Sequence, residues 1–160
     1  IETVENAIEM AHDAGMFVLG SFILDVTGSE TEDSIKRTVD WILAQKIDFV
    51  QYSLLAVLPG STLRILAKQR GLIIDDNPEH LDGAWPTIAH PLSPEKRIEL
   101  LMWAYRTTYS VGGILRRWRW HRDLLTALAA NSLVNLALKR WHHQTNYEYW
   151  LKTRKLPDDS

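Results

Sequence analysis

Two nearly continuous apolar runs rich in β-formers, Met16 to Leu24 and Asp48 to Leu58, constrain this chain more than any other feature. Runs without polar alternation suit strands buried on both faces, as in parallel sheets covered by helices. Helical spacing precedes the first run, with Val4, Ala7, Ile8 and Ala11 on one face, and Gly15 is placed to end that helix in the left-handed conformation. Between the runs, Val26 to Ser29 turns the chain. Ser29 and Glu32 have the spacing of a capping box, and Ile35, Val39 and Ile42 line the helix that follows. After the second run and Pro59-Gly60, Ser61 or Thr62 can cap a short helix through Arg70 that stops at Gly71. Helix, strand, helix, strand, helix with short connections implies parallel strands joined by right-handed crossovers. Two strands alone leave edges and a face uncovered. The expectation is therefore that more strands precede these, that the upstream half of the same polypeptide is the first partner, and that this stretch is inactive alone. Ile1 falls inside a helical pattern with no signal segment before it, in keeping with that expectation.

Residues 1–75 thus read as an α/β unit, and residues 76–92 as a long loop with Asn77-Pro78, Gly83, Pro86 and Pro91. Ser93-Pro94-Glu95 starts a helix that presents Ile98, Leu101, Met102 and Tyr105. A break is expected near Gly112-Gly113, then a basic, Trp-rich segment and another helix over 124–141. Residues 93–155 form a helical C-terminal region, and 156–160 fray. Cysteine is absent, which removes disulfides, thiolate metal sites and any iron–sulfur cluster held by this stretch. The apolar run Leu124 to Leu138 is too short to span a bilayer, and the expected location is cytoplasmic. Charge is uneven: residues 1–60 carry 3 Lys/Arg and 10 Asp/Glu, residues 101–160 carry 10 and 4. Such asymmetry suggests two surfaces with different neighbours.

Alternation along the strands puts Ser21, Ile23 and Asp25 on one face of the first, and Gln51, Ser53 and Leu55 on one face of the second. Ligands bind at the C-terminal ends of parallel strands, so these six are the candidate binding residues. Asp25 is the sharpest, either facing a ligand pocket or capping the next turn. No Walker loop, GxGxxG, HExxH or nucleophile elbow is present. His142-His143 point apart on a helix and suit a solvated pair, and His80 and His90 flank Trp85; no metal site is expected at any of them. Arg116, Arg117, Arg119 and Arg122 alternate with Trp118 and Trp120. They could grip nucleic-acid phosphates, lie on an anionic membrane, or pair with the acidic half while the tryptophans pack. The third reading is preferred.

Gly15 to Ile35, GMFVLGSFILDVTGSETEDSI, and Gln51 to Ile73, QYSLLAVLPGSTLRILAKQRGLI, resemble the C-terminal half of radical S-adenosylmethionine (radical SAM) enzymes. The resemblance covers roughly residues 2–75. It implies a partial (β/α)6 TIM-like barrel whose [4Fe-4S] cluster is held by a CxxxCxxC loop far upstream of this stretch. S-adenosylmethionine would lie along the strands bearing Ser21 to Asp25 and Gln51 to Leu55. In the matching family positions Ile23 lies against the adenine and the backbone around Leu55 meets its edge. The substrate is a small molecule of undefined identity. Trp85-Pro86 through HPLSPEKRIELLMWAYRTTYS is similar, more loosely, to the helical tail of the cobalamin-binding subgroup. Asp25 and Thr27 stand where many members have Gly and Pro, and the turn at 28–31 carries one extra residue. The alternative reading is a binding or scaffold module whose basic tail contacts RNA or a membrane surface.

Overall fold

The structure, a computed structural model, describes residues 2–118 and 146–157, together with residues 125, 128, 129, 131–134 and 136. The fold is α/β. Helix α1 (Glu2–Asp13) leads into β1 (Leu19–Ile23), then α2 (Glu32–Ala44), β2 (Phe49–Ser53) and α3 (Thr62–Gln69). A 3₁₀ turn at Pro78–His80 precedes α4 (Pro94–Thr108), α5 (Val111–Arg117) and α6 (Tyr147–Thr153). β1 and β2 pair in parallel, with Leu19 opposite Phe49, Ser21 opposite Gln51 and Ile23 opposite Ser53.

Both strands are shorter than their apolar runs because the N–H groups of Met16, Val18, Leu54 and Leu55 find partners outside the ladder. Val18 N–H donates to the Asp48 carboxylate (2.8 Å), which also meets His12 Nε2 at 2.9 Å and so ties α1 to the start of β2. Met16 N–H returns to Ala11 O at 3.0 Å, with Gly15 in the left-handed region at φ 78°. The cap of α2 falls two residues later than the Ser29/Glu32 spacing suggests. Thr31 Oγ1 accepts from Ser34 N–H at 3.2 Å, and Ser34 Oγ accepts from Thr31 N–H at 2.8 Å. Ser29 is instead drawn into a turn in which Thr27 and Ser29 N–H both donate to the Glu30 carboxylate.

One side of the sheet is the core. Val50, Tyr52 and Leu54 from the β2 segment meet Ile35, Val39, Ile42 and Leu43 of α2 and Leu100, Leu101 and Ala104 of α4. The other side departs from the expected two-sided burial: Leu19 is 64% exposed and Ile23 48%. No layer of the described residues covers that face.

Helix α4 also closes an edge. Tyr109 Oη accepts from Val50 N–H (3.0 Å) and donates to Val50 O (2.8 Å); Tyr105 Oη does the same for Tyr52, at 3.0 and 2.8 Å. The geometry works because four residues of helix rise about 6 Å, close to the roughly 6.6 Å spanned by two residues of strand. Burial pushes the Tyr52 and Tyr105 hydroxyls up to about 12 and raises that of Tyr109, so all three remain protonated donors.

The break after α4 comes before the glycine pair. Tyr109 caps α4, and Ser110 starts α5 by accepting from Gly113 N–H at 3.0 Å. Gly113 sits inside α5 because a Cβ there would collide with the carbonyls of Thr107 and Thr108. The expected loop at 76–92 is packed: Ile73 bridges Ile88 in antiparallel fashion, and Ala84, Trp85 and Thr87 are buried. Of the helix expected over 124–141, the described residues 131–134 are helical; the rest of that stretch is described only in part, and residues 158–160 of the expected frayed tail lie outside the described residues.

Replacing Tyr109 by Phe leaves the buried N–H and C=O of Val50 without a partner. Urea unfolding should register a loss of about 1–3 kcal/mol, and Tyr105→Phe a similar one. A Tyr109→Phe variant as stable as the parent would show that the hydroxyl does not hold this edge.

Candidate functional site

Four of the six candidate residues come together on the open face of the sheet. Ser21 stands opposite Gln51 and Ile23 opposite Ser53, so the register sets two polar and apolar pairs side by side. Ser21, Ile23 and Gln51 are exposed, and Ser53 is half-buried. Gly83 is pressed against Ser53: a Cβ on Gly83 would come within 2.8 Å of Ser53 Cβ, and φ 82° favours glycine there as well. Gly83 O accepts from Leu54 N–H at 2.7 Å, which fixes the 80–84 turn over the C-terminal end of β2.

The other two candidates lie elsewhere. Asp25 does not share the face of Ser21 and Ile23, because the strand ends at Ile23 and the turn rotates its side chain inward, to 1% exposure. Asp25 Oδ1 accepts from Leu55 N–H at 2.6 Å, and Oδ2 accepts from Arg97 Nε at 2.8 Å and from Arg97 Nη2. Arg97 Nη1 donates onward to Ile88 O at 2.6 Å. Leu55 O accepts from Thr87 Oγ1 at 3.1 Å, so both backbone groups of Leu55 are engaged inside the protein. Asp25 is thus a fastener between the ends of both strands, the 87–88 segment and α4. Arg97 escaped notice in the sequence, although it shares a helical stripe with Leu101, Tyr105 and Thr108, the spacing of a core face. An arginine on such a stripe signals a buried carboxylate partner.

The histidines resolve into carboxylate pairs. His90 Nε2 lies 3.1 Å from Glu30 Oε2, while its Nδ1 accepts from Leu92 N–H at 3.0 Å. The proton therefore sits on Nε2, and His90 holds the turn after β1 against the start of α4. Burial acts to raise the Glu30 carboxyl, but the Thr27 N–H and His90 outweigh it and lower the group to about 2. His80 Nδ1 meets Asp75 Oδ2 at 2.5 Å and its Nε2 meets Thr153 Oγ1 at 3.1 Å. Asp75 Oδ1 also accepts from Lys155 N–H at 3.0 Å, and Asn77 Nδ2 donates to Thr153 O at 2.8 Å, docking the end of α6 on the 75–80 segment. No group of three His, Asp or Glu that could hold a metal occurs among the described residues. His142 and His143 lie outside them.

Two of the four tail arginines are described, and both turn to this chain. Arg116 Nη1 pairs with Asp40 of α2 at 2.9 Å. Arg117 is buried, its Nη1 donating to Ile47 O (2.9 Å) and Asp48 O (2.8 Å) and its Nη2 to Thr108 O (3.1 Å) and Asn131 Oδ1 (2.9 Å). Its guanidinium lies over the Tyr109 ring, 5.3 Å from the centroid. Arg119, Arg122 and Trp120 lie outside the described residues.

Removing one partner of the buried Asp25–Arg97 pair strands a charge, so Arg97→Met should cost about 3–5 kcal/mol in chemical denaturation. Combining it with Asp25→Asn neutralises the stranded carboxylate while keeping an acceptor for Leu55, and should recover part of the loss. Equal losses in the single and double variants would refute this. Glu30 supplies the pH signature: with its folded value lowered from 4.5 to about 2, its contribution is whole above pH 4.5 and fades as pH falls towards 2. The stability gap between the parent and Glu30→Gln should shrink across that window and stay constant above it.

Compared with protein-family patterns, with curated proteins and with solved structures, the chain matches none.

Proposed function

We propose that this chain is the C-terminal part of a partial (β/α)6 barrel in a radical SAM enzyme, with the open sheet face as barrel wall beside the S-adenosylmethionine. The observation that carries the reading is the face itself. Ser21, Ile23 and Gln51 stand exposed there, in register, with Ser53 half-buried beside them under Gly83. The sheet is also asymmetric: β2 is closed along its outer edge by α4, while Leu19, Ser21 and Ile23 turn their backbone groups away from β2. A preceding parallel strand fits on that side and no other.

The residues fit the cofactors unevenly. Ile23 offers an exposed apolar side chain for an adenine, and Ser21, Gln51 and Ser53 offer polar groups around it. Leu55 does not fit the expected contact with the adenine edge, because Asp25 and Thr87 already occupy its N–H and C=O. With no cysteine, the chain ligates no cluster, and those ligands belong to the preceding half of the polypeptide. The described histidines His12, His80 and His90 each contact a carboxylate, so none is assigned to cobalamin. When bound, the cluster and S-adenosylmethionine supply a 5′-deoxyadenosyl radical that abstracts hydrogen from a small-molecule substrate. The chain's own residues wall the site, and Asp25 with Arg97 holds the strand ends that carry it. Among the described residues no helix is long and apolar enough to cross a membrane.

The full-length protein should carry a CxxxCxxC motif before this stretch and, after anaerobic reconstitution, absorb near roughly 400 nm as thiolate-ligated clusters do. This chain alone, treated identically, should take up no cluster. A full-length sequence without the motif, or a cluster on the isolated chain, would overturn the reading.

A further inference from the structure

The turn over the C-terminal end of β2 is held from behind by α6. Gly83 lies against Ser53, and α6 grips the residues on both sides of it: Thr153 Oγ1 meets His80 Nε2 at 3.1 Å, and Trp150 packs with Ala84 and Trp85. The chain just beyond α6 is tied to the same segment, since Asp76 N–H donates to Lys155 O at 2.7 Å and Lys155 N–H to Asp75 Oδ1 at 3.0 Å. Asp75, Asn77 and His80 are all buried, and each directs a polar atom to residues 153–155.

The hold is shallow. A helix of seven residues has little stability of its own. Trp150 is the one buried side chain of α6, with Leu151 43% and Leu156 68% exposed. Trp150 Nε1 is itself buried without a hydrogen-bond partner among the described residues, which weakens the anchor. The remaining contacts are hydrogen bonds that water replaces when α6 lifts, so they add little against release. A segment with one apolar anchor and replaceable polar contacts opens before the fold around it. We infer that α6 is a detachable latch on a lid: docked, it keeps the 80–84 turn closed over Ser53, and released, it frees the turn and opens the C-terminal end of β2 to a ligand. That the ligand there is S-adenosylmethionine rests on the radical SAM reading; the latch itself does not.

Hydrogen exchange of the full-length protein, followed amide by amide, tests the coupling. In Trp150→Ala the amides of His80 and Leu54, which donate to Asn77 O and Gly83 O, should exchange roughly tenfold or more faster. The amides of Val50 and Tyr52, held by Tyr109 and Tyr105, and of Leu55, held by Asp25, should keep the parent's rates. Thr153→Val keeps the anchor and removes the hydroxyl facing His80, so it should speed the same two amides by a smaller factor. It also serves as the test if the alanine variant does not fold. None of these rates depends on a cluster or on S-adenosylmethionine. Unchanged exchange at Leu54 in both variants would uncouple α6 from the turn and overturn the inference. Acceleration of Val50 and Tyr52 as large as that of Leu54 in Thr153→Val would overturn it too, by making α6 part of the common core.

Discussion

Two tyrosine hydroxyls one helical turn apart complete the outer edge of β2, and the rest of the structure is arranged around that contact. An edge strand exposes alternate N–H and C=O groups that water or another strand must satisfy. Tyr105 and Tyr109 each serve as donor and acceptor for one residue of β2, so α4 is both the layer over the sheet and the strand's last neighbour. Thr108, between them, takes the Tyr52 hydroxyl at 2.8 Å, which locks the rotation of α4 about its axis. Orientation of α4 in turn delivers Arg97, three turns earlier, to Asp25.

Polar fasteners of this kind lie at both ends of the sheet. At the C-terminal end, Asp25 gathers Leu55 N–H and Arg97, and Arg97 reaches Ile88 O. At the N-terminal end, Asp48 gathers Val18 N–H and His12, while Arg117 collects the carbonyls of Ile47 and Asp48. Burying charge is costly unless hydrogen bonds satisfy it, and it adds little stability over an apolar core. Such groups act instead through geometry. A carboxylate with three directed donors fixes the relative position of four chain segments, where apolar packing would tolerate a slide. For a site spread along two strand ends, that fixity keeps Ser21, Ile23, Gln51 and Ser53 in one arrangement.

The consequence for function is a division of the sheet's surroundings. On the α2 and α4 side the core is packed, and the outer edge of β2 is satisfied within the chain. Among the described residues the open face and the outer edge of β1 are not, and the apolar side chains Leu19, Ile23 and Phe17 lie exposed. Contiguous exposed apolar side chains are the kind of surface that another surface covers.

How much of this was legible in the sequence depended on range. Periodicity and punctuation are local, so α1, the two parallel strands, the Ser93 cap and the ends at Gly15 and Gly71 could be read directly, while the choice of Ser61 over Thr62 as the cap of α3 came from the structure. The strand alternation also placed Ser21, Ile23, Gln51 and Ser53 on shared faces. Local spacing misled where two polar residues competed: Thr31 outranked Ser29 because Glu30 had already bound the N–H groups of Thr27 and Ser29. Other features were decided only in three dimensions. Asp25 turned inward because Arg97, 72 residues away, supplied a charge partner. Leu55 lost its backbone to Asp25 and Thr87, and the tyrosines of α4 became an edge strand's partners across separations of 53 and 59 residues. A sequence states which side chains alternate and which turns close. Which carboxylate meets which cation, and which edge is sealed, depends on contacts between segments whose separation no local pattern encodes.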